Sequence, residues 1–173
     1  MLIEMLKIKE TTLEDLENVL KLWNDGEVMR FVGLPDGCGI TLEELENWYE
    51  QLKSRRPLSN HYSIYYDDLG YSGETGYQIF TNNDCIASLD IKLFAKARGK
   101  GIAYEALKYA IEEAFKNGAR KVWVDPHATN EKAIALYSKL GFQIKEMPDF
   151  IKELEEIDDS SPAPVYMELA RNI

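Results

Sequence analysis

Residues 89–103 read LDIKLFAKARGKGIA, and this stretch decides the architecture. Up to Phe94 it alternates apolar and polar residues, as a half-buried strand does. Arg98, Gly99, Lys100 and Gly101 then make a small basic turn. From Ile102 onward Ala103, Leu107, Ala110, Ala114 and Phe115 recur at helical spacing until Asn117 and Gly118 supply a stop. A strand feeding a helix through two glycines is a candidate anion site. The first N–H groups of a helix lack intrahelical acceptors and carry partial positive charge, and glycine lets phosphate oxygens approach them closely. Arg98 and Lys100 add full charges. Two other phosphate motifs fail: Gly101 follows Lys100 where a P-loop needs Ser or Thr, and Tyr104 stands where the dinucleotide fingerprint needs a third small residue.

Working upstream, residues 62–66, 76–81 and 85–94 are rich in Tyr, Ile and Phe and predict an antiparallel meander, broken at Asp67, Asp68 and Gly70 and at Asn82, Asn83 and Asp84. Glu74 and Asp84 flank those breaks and are expected to be turn residues rather than catalysts. Residues 1–10 alternate as a strand. Thr11 and Thr12 followed by Glu14 and Asp15 form a capping signature for a helix through Leu13, Leu16, Val19, Leu20 and Trp23, which Asn24, Asp25 and Gly26 end. Thr41 and Glu44 repeat that signal for a second helix closing near 54–57, with Glu43, Glu44, Glu46 and Glu50 on a solvated face. Downstream, a short strand at 121–125 precedes a helix that Asn130 opens and Gly141 stops. Residues 142–145 and 164–170 are strand-like, and the acidic segment 146–161 holds one short helix face of Phe150, Ile151, Leu154 and Ile157. With no internal repeat and no long linker, residues 1–173 predict one α+β layered domain with a mixed sheet.

A chain of 173 residues buries roughly 70% of its unfolded surface, enough for a sizeable core. Twenty Lys and Arg against thirty Asp and Glu give a net charge of −10. That charge disfavours nucleic acid, whose binding rests on cationic contacts, and suits a cationic small molecule or peptide amine. Cys38 and Cys85 are far apart and form neither a disulfide framework nor a thiolate zinc site, which fits a reducing compartment. His61 and His127 are the only histidines, and no metal is expected. Charged Glu4, Lys7, Lys9 and Glu10 interrupt the N-terminal segment, so a cytoplasmic protein without membrane association is expected, either monomer or homodimer.

The run Arg98-Gly99-Lys100-Gly101-Ile102-Ala103 resembles the Gln/Arg-x-x-Gly-x-Gly/Ala signature of the GNAT superfamily of acetyl-CoA-dependent N-acetyltransferases. Asn130, Ala133, Leu136, Tyr137, Leu140, Gly141 and Phe142 resemble its second motif, a helix entered by Asn and running to Leu-Tyr-x-x-Leu-Gly-Phe. The two stand in register, and the likeness extends over nearly the whole chain. It implies a three-layer α/β/α-type domain with a mixed, mostly antiparallel sheet. It also implies acetyl-CoA as cosubstrate: residues 98–103 (Arg98, Gly99, Lys100, Gly101, Ile102, Ala103) on the pyrophosphate, the backbone of Ile91 and Leu93 along the pantetheine arm, and Asn130 on the coenzyme as well as capping its helix. Tyr137 is implied as general acid for the leaving thiolate. An amine of ordinary pKa, about 10.4, costs about 4 to 5 kcal/mol to deprotonate at neutral pH. Asp90 is the candidate to orient it and relay its proton, against a plain solvent-facing role on a strand whose alternation already demands a polar face.

Asp90, the Asp125-Pro126 pair and the closing Pro164, Val165, Tyr166 and Met167 look most like acetyltransferases acting on the 6′-amine of aminoglycosides; ribosomal-protein N-terminal and polyamine acetyltransferases share a similar frame. Glu153, Glu155, Glu156, Asp158 and Asp159 fall in the connection where relatives shape the acceptor pocket. The expected function is therefore acetyl transfer from acetyl-CoA to a primary amine of an aminoglycoside-like or polyamine-like cation. The alternatives are a protein N-terminus as acceptor, or a non-catalytic acyl-CoA-binding regulatory protein.

Overall fold

The structure is a computed structural model that describes residues 5–157 and 162–172. Strand β1 (Leu6–Glu10) leads into a capping box in which Asp15 Oδ2 accepts the Thr12 N–H at 2.8 Å, and helix α1 (Leu16–Trp23) follows. Helix α1 ends at Asn24 as expected, and the Asp25 side chain accepts the N–H groups of Glu27 and Val28 to open a further short helix, α2 (Gly26–Met29), that sequence reasoning did not include. Helix α3 (Leu42–Arg55) begins at the expected Thr41–Glu44 capping box, and Glu43, Glu44, Glu46 and Glu50 are exposed. The meander is β2 (Ser59–Tyr66), β3 (Gly70–Phe80) and β4 (Ile86–Leu93). Helix α4 (Ile102–Lys116), β5 (Lys121–Val124), helix α5 (Glu131–Lys139), β6 (Gln143–Ile144), helix α6 (Asp149–Leu154) and β7 (Met167–Ala170) complete the chain.

The seven strands form one sheet in the order β1-β2-β3-β4-β5-β7-β6. Every neighbouring pair is antiparallel except β4 and β5, which run parallel and are joined by α4 as the crossover that parallel pairing requires. The mixed, mostly antiparallel sheet is the one the sequence predicts. Side-chain alternation divides it into two faces. On one face Tyr62, Tyr77, Ile79, Ala87 and Val122 pack with Leu107, Ile111 and Ala114 of α4 and with Tyr137 and Phe142. Near the other, α1 and α3 bring Leu16, Val19, Leu22, Leu45, Tyr49 and Leu52 together with Tyr71 at the end of β3. Ile151 of α6 closes a smaller cluster with Ile86, Trp123 and Tyr166.

Strand β3 corrects one expectation. It starts at Gly70 rather than near Gly76, and Glu74 lies in its middle, 1% exposed, instead of flanking a turn. Gly73 belongs inside the strand because a neighbouring backbone approaches it: a Cβ there would stand 2.0 Å from the Lys92 carbonyl oxygen. Asp84, with φ 55°, is the turn residue expected and pairs with Arg120 at 2.8 Å. Of the acidic connection, Asp158 and Asp159 lie outside the described residues.

Candidate active site

The site is built around β4, from which one neighbouring strand parts while the other stays paired. The β4–β5 pairing covers only Ile86, Ala87 and Ser88 against Lys121, Val122 and Trp123, after which the strands diverge while β4 continues beside β3 to Leu93. The Phe94 N–H bonds to Ser72 on the β3 side. Antiparallel alternation then turns the backbone groups of Leu93, Ile91 and Leu89 toward the parted edge. A cleft of about 260 Å³ opens there, lined by Leu89, Ile91, Leu93, Asp125, Asn130 and Tyr137 among others.

The basic turn sits at the end of that edge. Gly99 and Gly101 have φ of 73° and 79°, a left-handed backbone that glycine adopts readily, and they lead directly into the α4 N-terminus, whose first N–H groups lack intrahelical acceptors. Lys100 is exposed, Ile102 is buried as the helix's first core residue, and Ala103 is half-buried. Arg98 lines the cleft, and its guanidinium is engaged within the protein: it donates to the Leu93 carbonyl at 3.1 and 3.3 Å and to Glu27 O at 3.4 Å, and lies 5.4 Å from the Phe31 ring centre. Asn130 caps α5 by accepting the Ala133 N–H at 3.2 Å.

Tyr137 is 9% exposed, packs its ring 5.6 Å from Phe142 and lines the cleft. Burial, with the Asp90 and Asp125 carboxylates adding to it, pushes its phenol well above the ordinary tyrosine range, so it keeps its proton. Asp125, at the end of β5, is held up at about 6 by burial and by the Glu155 carboxylate.

On the opposite face of β4 lies a second cavity of about 330 Å³ under α1 and α3. Cross-strand register assembles it: Ser63 pairs with Glu74 and Glu74 with Lys92, while His61 pairs with Gly76 and Gly76 with Asp90. Period-two alternation therefore puts His61, Glu74, Lys92 and Asp90 on one face. Trp23 and Trp48 wall it, ring centres 4.9 Å apart at 70°. Trp23 Nε1 donates to both Glu74 oxygens, at 2.8 and 2.9 Å. Lys92 reaches Glu74 at 3.4 Å and is ion-paired with Asp90 as well. His61 Nε2 stands 2.8 Å from Glu74 Oε2 without the alignment of a hydrogen bond, and Nδ1 contacts Thr11 Oγ1 at 2.8 Å. Burial works against Glu74's charge, but His61, Lys92 and the Trp23 N–H outweigh it and hold the carboxyl below the usual range. Burial likewise works against Lys92's charge, and Asp90 and Glu74 overcome it and raise its pKa.

Leu89, Asp90 and Lys92 line both the cleft and the cavity. The structure thus brings Tyr137, Asp90, Ile91, Leu93, Arg98 and Asn130 around one cleft, with residues 99–103 carrying the chain from its Arg98 end into α4. Sequence reasoning missed Glu74, His61 and Lys92, and gave Asp125 no role. The alternation of Ser72, Glu74, Gly76 and Gln78 against Tyr71, Thr75, Tyr77 and Ile79 is the signal that could have found the polar face.

Known proteins resemble this chain in sequence or in fold. A 65-residue stretch is 40% identical to the chloroplastic GCN5-related N-acetyltransferase 6 of Arabidopsis thaliana; it covers 38% of this chain and 21% of that protein's length. The spermidine N-acetyltransferase of Vibrio cholerae, solved with CoA and spermine, has a TM-score of 0.76 at 17% identity, covering 96% of each chain. The ribosomal-protein-alanine N-acetyltransferase of Brucella melitensis has a TM-score of 0.70 at 22% identity, covering 95% of this chain and 99% of that one. At those identities the two structures show a common fold. The Acetyltransferase (GNAT) domain model matches residues 6–143. That match spans most of the chain, basic turn and Asn130 helix included, and the protein belongs to the GNAT acetyltransferase family.

Proposed function

We propose that this protein transfers an acetyl group from acetyl-CoA to a primary amine of a cationic small molecule. One observation carries the reading: Leu89, Asp90 and Lys92 separate a cleft on the parted edge of β4 from a cavity on its other face and line both. A donor entering from one side and an acceptor from the other meet at that strand. Two carboxylates, Asp90 and Glu74, and two indoles, Trp23 and Trp48, in the acceptor cavity support a cationic amine.

Acetyl-CoA supplies the thioester carbonyl. The N–H groups after Gly99 and Gly101 receive the pyrophosphate, with Lys100 beside them, and Arg98 fixes the Leu93 carbonyl at the cleft's end. The parted edge of Ile91 and Leu93 pairs with the pantetheine amides as an added strand would, and presents N–H groups to the developing oxyanion. Asp90 orients the ammonium. The ammonium loses one proton before attack, relayed through Asp90 and water to solvent, and the new amide nitrogen loses a second as the C–S bond breaks. The Tyr137 phenol donates a hydrogen bond to the departing sulfur and passes it a proton, which the second amine proton replaces. Asp125, held up at about 6 and lining the same cleft, is suited to relay that proton from the amide nitrogen to the phenol.

The test is competition among acceptor classes. Purified protein with acetyl-CoA and equal concentrations of kanamycin, spermidine and a peptide with a free N-terminal alanine should yield acetylated small amine by mass spectrometry. Acetylation of the peptide alone would replace the acceptor proposed here with a protein N-terminus.

A further inference from the structure

Resting on the acetyl-transfer reading, the acceptor cavity poses a charge problem. Asp90 and Glu74 bring two carboxylates to one ammonium, that of Lys92, which touches both. Glu74 is 1% exposed and in the middle of β3, so its charge serves no solvated surface. A buried carboxylate is costly unless its charge has a use or a partner. Its partners are those an organiser would have: Trp23 Nε1 on both oxygens, holding the indole that packs against Trp48 at 70°, Lys92 on one oxygen, and His61 Nε2 2.8 Å from the other.

We propose that Glu74 is a positioning and specificity-determining residue, which shares Lys92 with Asp90 so that Asp90 retains negative charge for the acceptor's ammonium. Were Glu74 neutral, Lys92 would pair with Asp90 alone, and their charges would cancel at the point where the amine must bind. With Glu74 ionised, the three residues carry a net charge of −1, and a primary ammonium completes the balance; an alcohol of the same shape does not. The groups facing Glu74 are His61 from β2, Lys92 from β4 and the Trp23 N–H from α1; α3 adds the Trp48 ring and, on the cavity lining, Arg55.

The test is a charge-balance series read by calorimetry of spermidine with the CoA-loaded protein and by steady-state kinetics. Glu74→Gln should weaken spermidine binding and raise its KM by about tenfold or more, the effect of losing a partly desolvated charge, with acetyl-CoA affinity within twofold of the parent. Glu74→Gln combined with Lys92→Met removes the ammonium that would otherwise neutralise Asp90 and should recover most of that loss. A residue that merely held the fold would give the opposite: the second substitution would deepen the damage. The inference is overturned if the double variant binds spermidine no better than Glu74→Gln, or if Glu74→Gln leaves spermidine affinity unchanged. If the parent binds spermidine but transfers no acetyl group, only the catalytic reading fails. If transfer proceeds and the rescue is missing, only this inference does.

Discussion

Replacing Tyr137 with phenylalanine removes one oxygen atom and keeps nearly everything else. The ring's place against Phe142, 5.6 Å between centres, and its part in the core with Val124 and Met167 do not depend on the hydroxyl. The thermal midpoint should therefore move by no more than a few degrees, the equivalent of about 1 kcal/mol in a domain of this size. The rate should respond far more. A positioned proton donor contributes about 10²- to 10⁴-fold, or about 2.7 to 5.4 kcal/mol of transition-state stabilisation. Because burial and the nearby Asp90 and Asp125 carboxylates hold the phenol protonated well beyond the ordinary tyrosine range, the deficit should stay constant from about pH 6 to about pH 10. The assay is thiol release from acetyl-CoA at saturating amine, with acetyl-CoA affinity measured separately by calorimetry. A kcat within twofold of the parent at unchanged coenzyme affinity would refute the proton-donor role. A deficit that vanished near pH 9 would refute the account of why the phenol keeps its proton.

Asp125, at about 6 in the folded protein against 3.8 ordinarily, binds its proton more tightly folded than unfolded. The stability this gives is present below about pH 4 and lost as pH rises through about 6. Asp125→Asn should match the parent at pH 4 and be more stable above pH 6 by about 1 to 3 kcal/mol in denaturant titrations; equal stability at both pH values would contradict the assigned shift. At Gly73, an added Cβ would meet the Lys92 carbonyl oxygen at 2.0 Å and Leu93 Cδ2 at 2.8 Å, and the backbone oxygen cannot yield without parting β3 from β4. Gly73→Ala should cost about 3 kcal/mol or more and lower the melting temperature by about 6 to 12 °C; an unchanged midpoint would mean that the register is wrong. Gly101→Val, forcing a β-branched residue to φ 79°, should weaken acetyl-CoA binding at least about tenfold, whereas retained affinity would exclude this turn as the pyrophosphate site.

Elements whose pattern is local were readable. Both N-terminal capping boxes, the long helix after the glycine turn and the Asn130 cap announce themselves within four residues, because capping hydrogen bonds span that distance. The first half of β3 was not: the break at Asp67, Asp68 and Gly70 reads as running on to Gly76, whereas Gly73 and Gly76 lie within the strand and their missing side chains admit the backbones of Lys92 and Asn60. The helix stop at Asn24, Asp25 and Gly26 was legible, but not that Asp25 also caps a new short helix. The His61, Glu74 and Lys92 cluster is a product of register across three strands, which no window of single-strand length contains. The parting of β4 from β5 is likewise tertiary: both segments read as strands, and nothing in either marks where pairing stops after Ser88 and Trp123. Tyr137 and Asp90 were singled out from motif and alternation, and the structure places both on the cleft; the charge network that holds Asp90 required the sheet.

The most direct test of the account is acetyl-CoA itself, titrated into the protein by calorimetry and then followed for thiol release as an amine is added. One coenzyme should bind per chain, and release should saturate with amine and be matched mole for mole by acetylated product. Heat of binding no different from buffer, or thiol release that is indifferent to the amine, would contradict it.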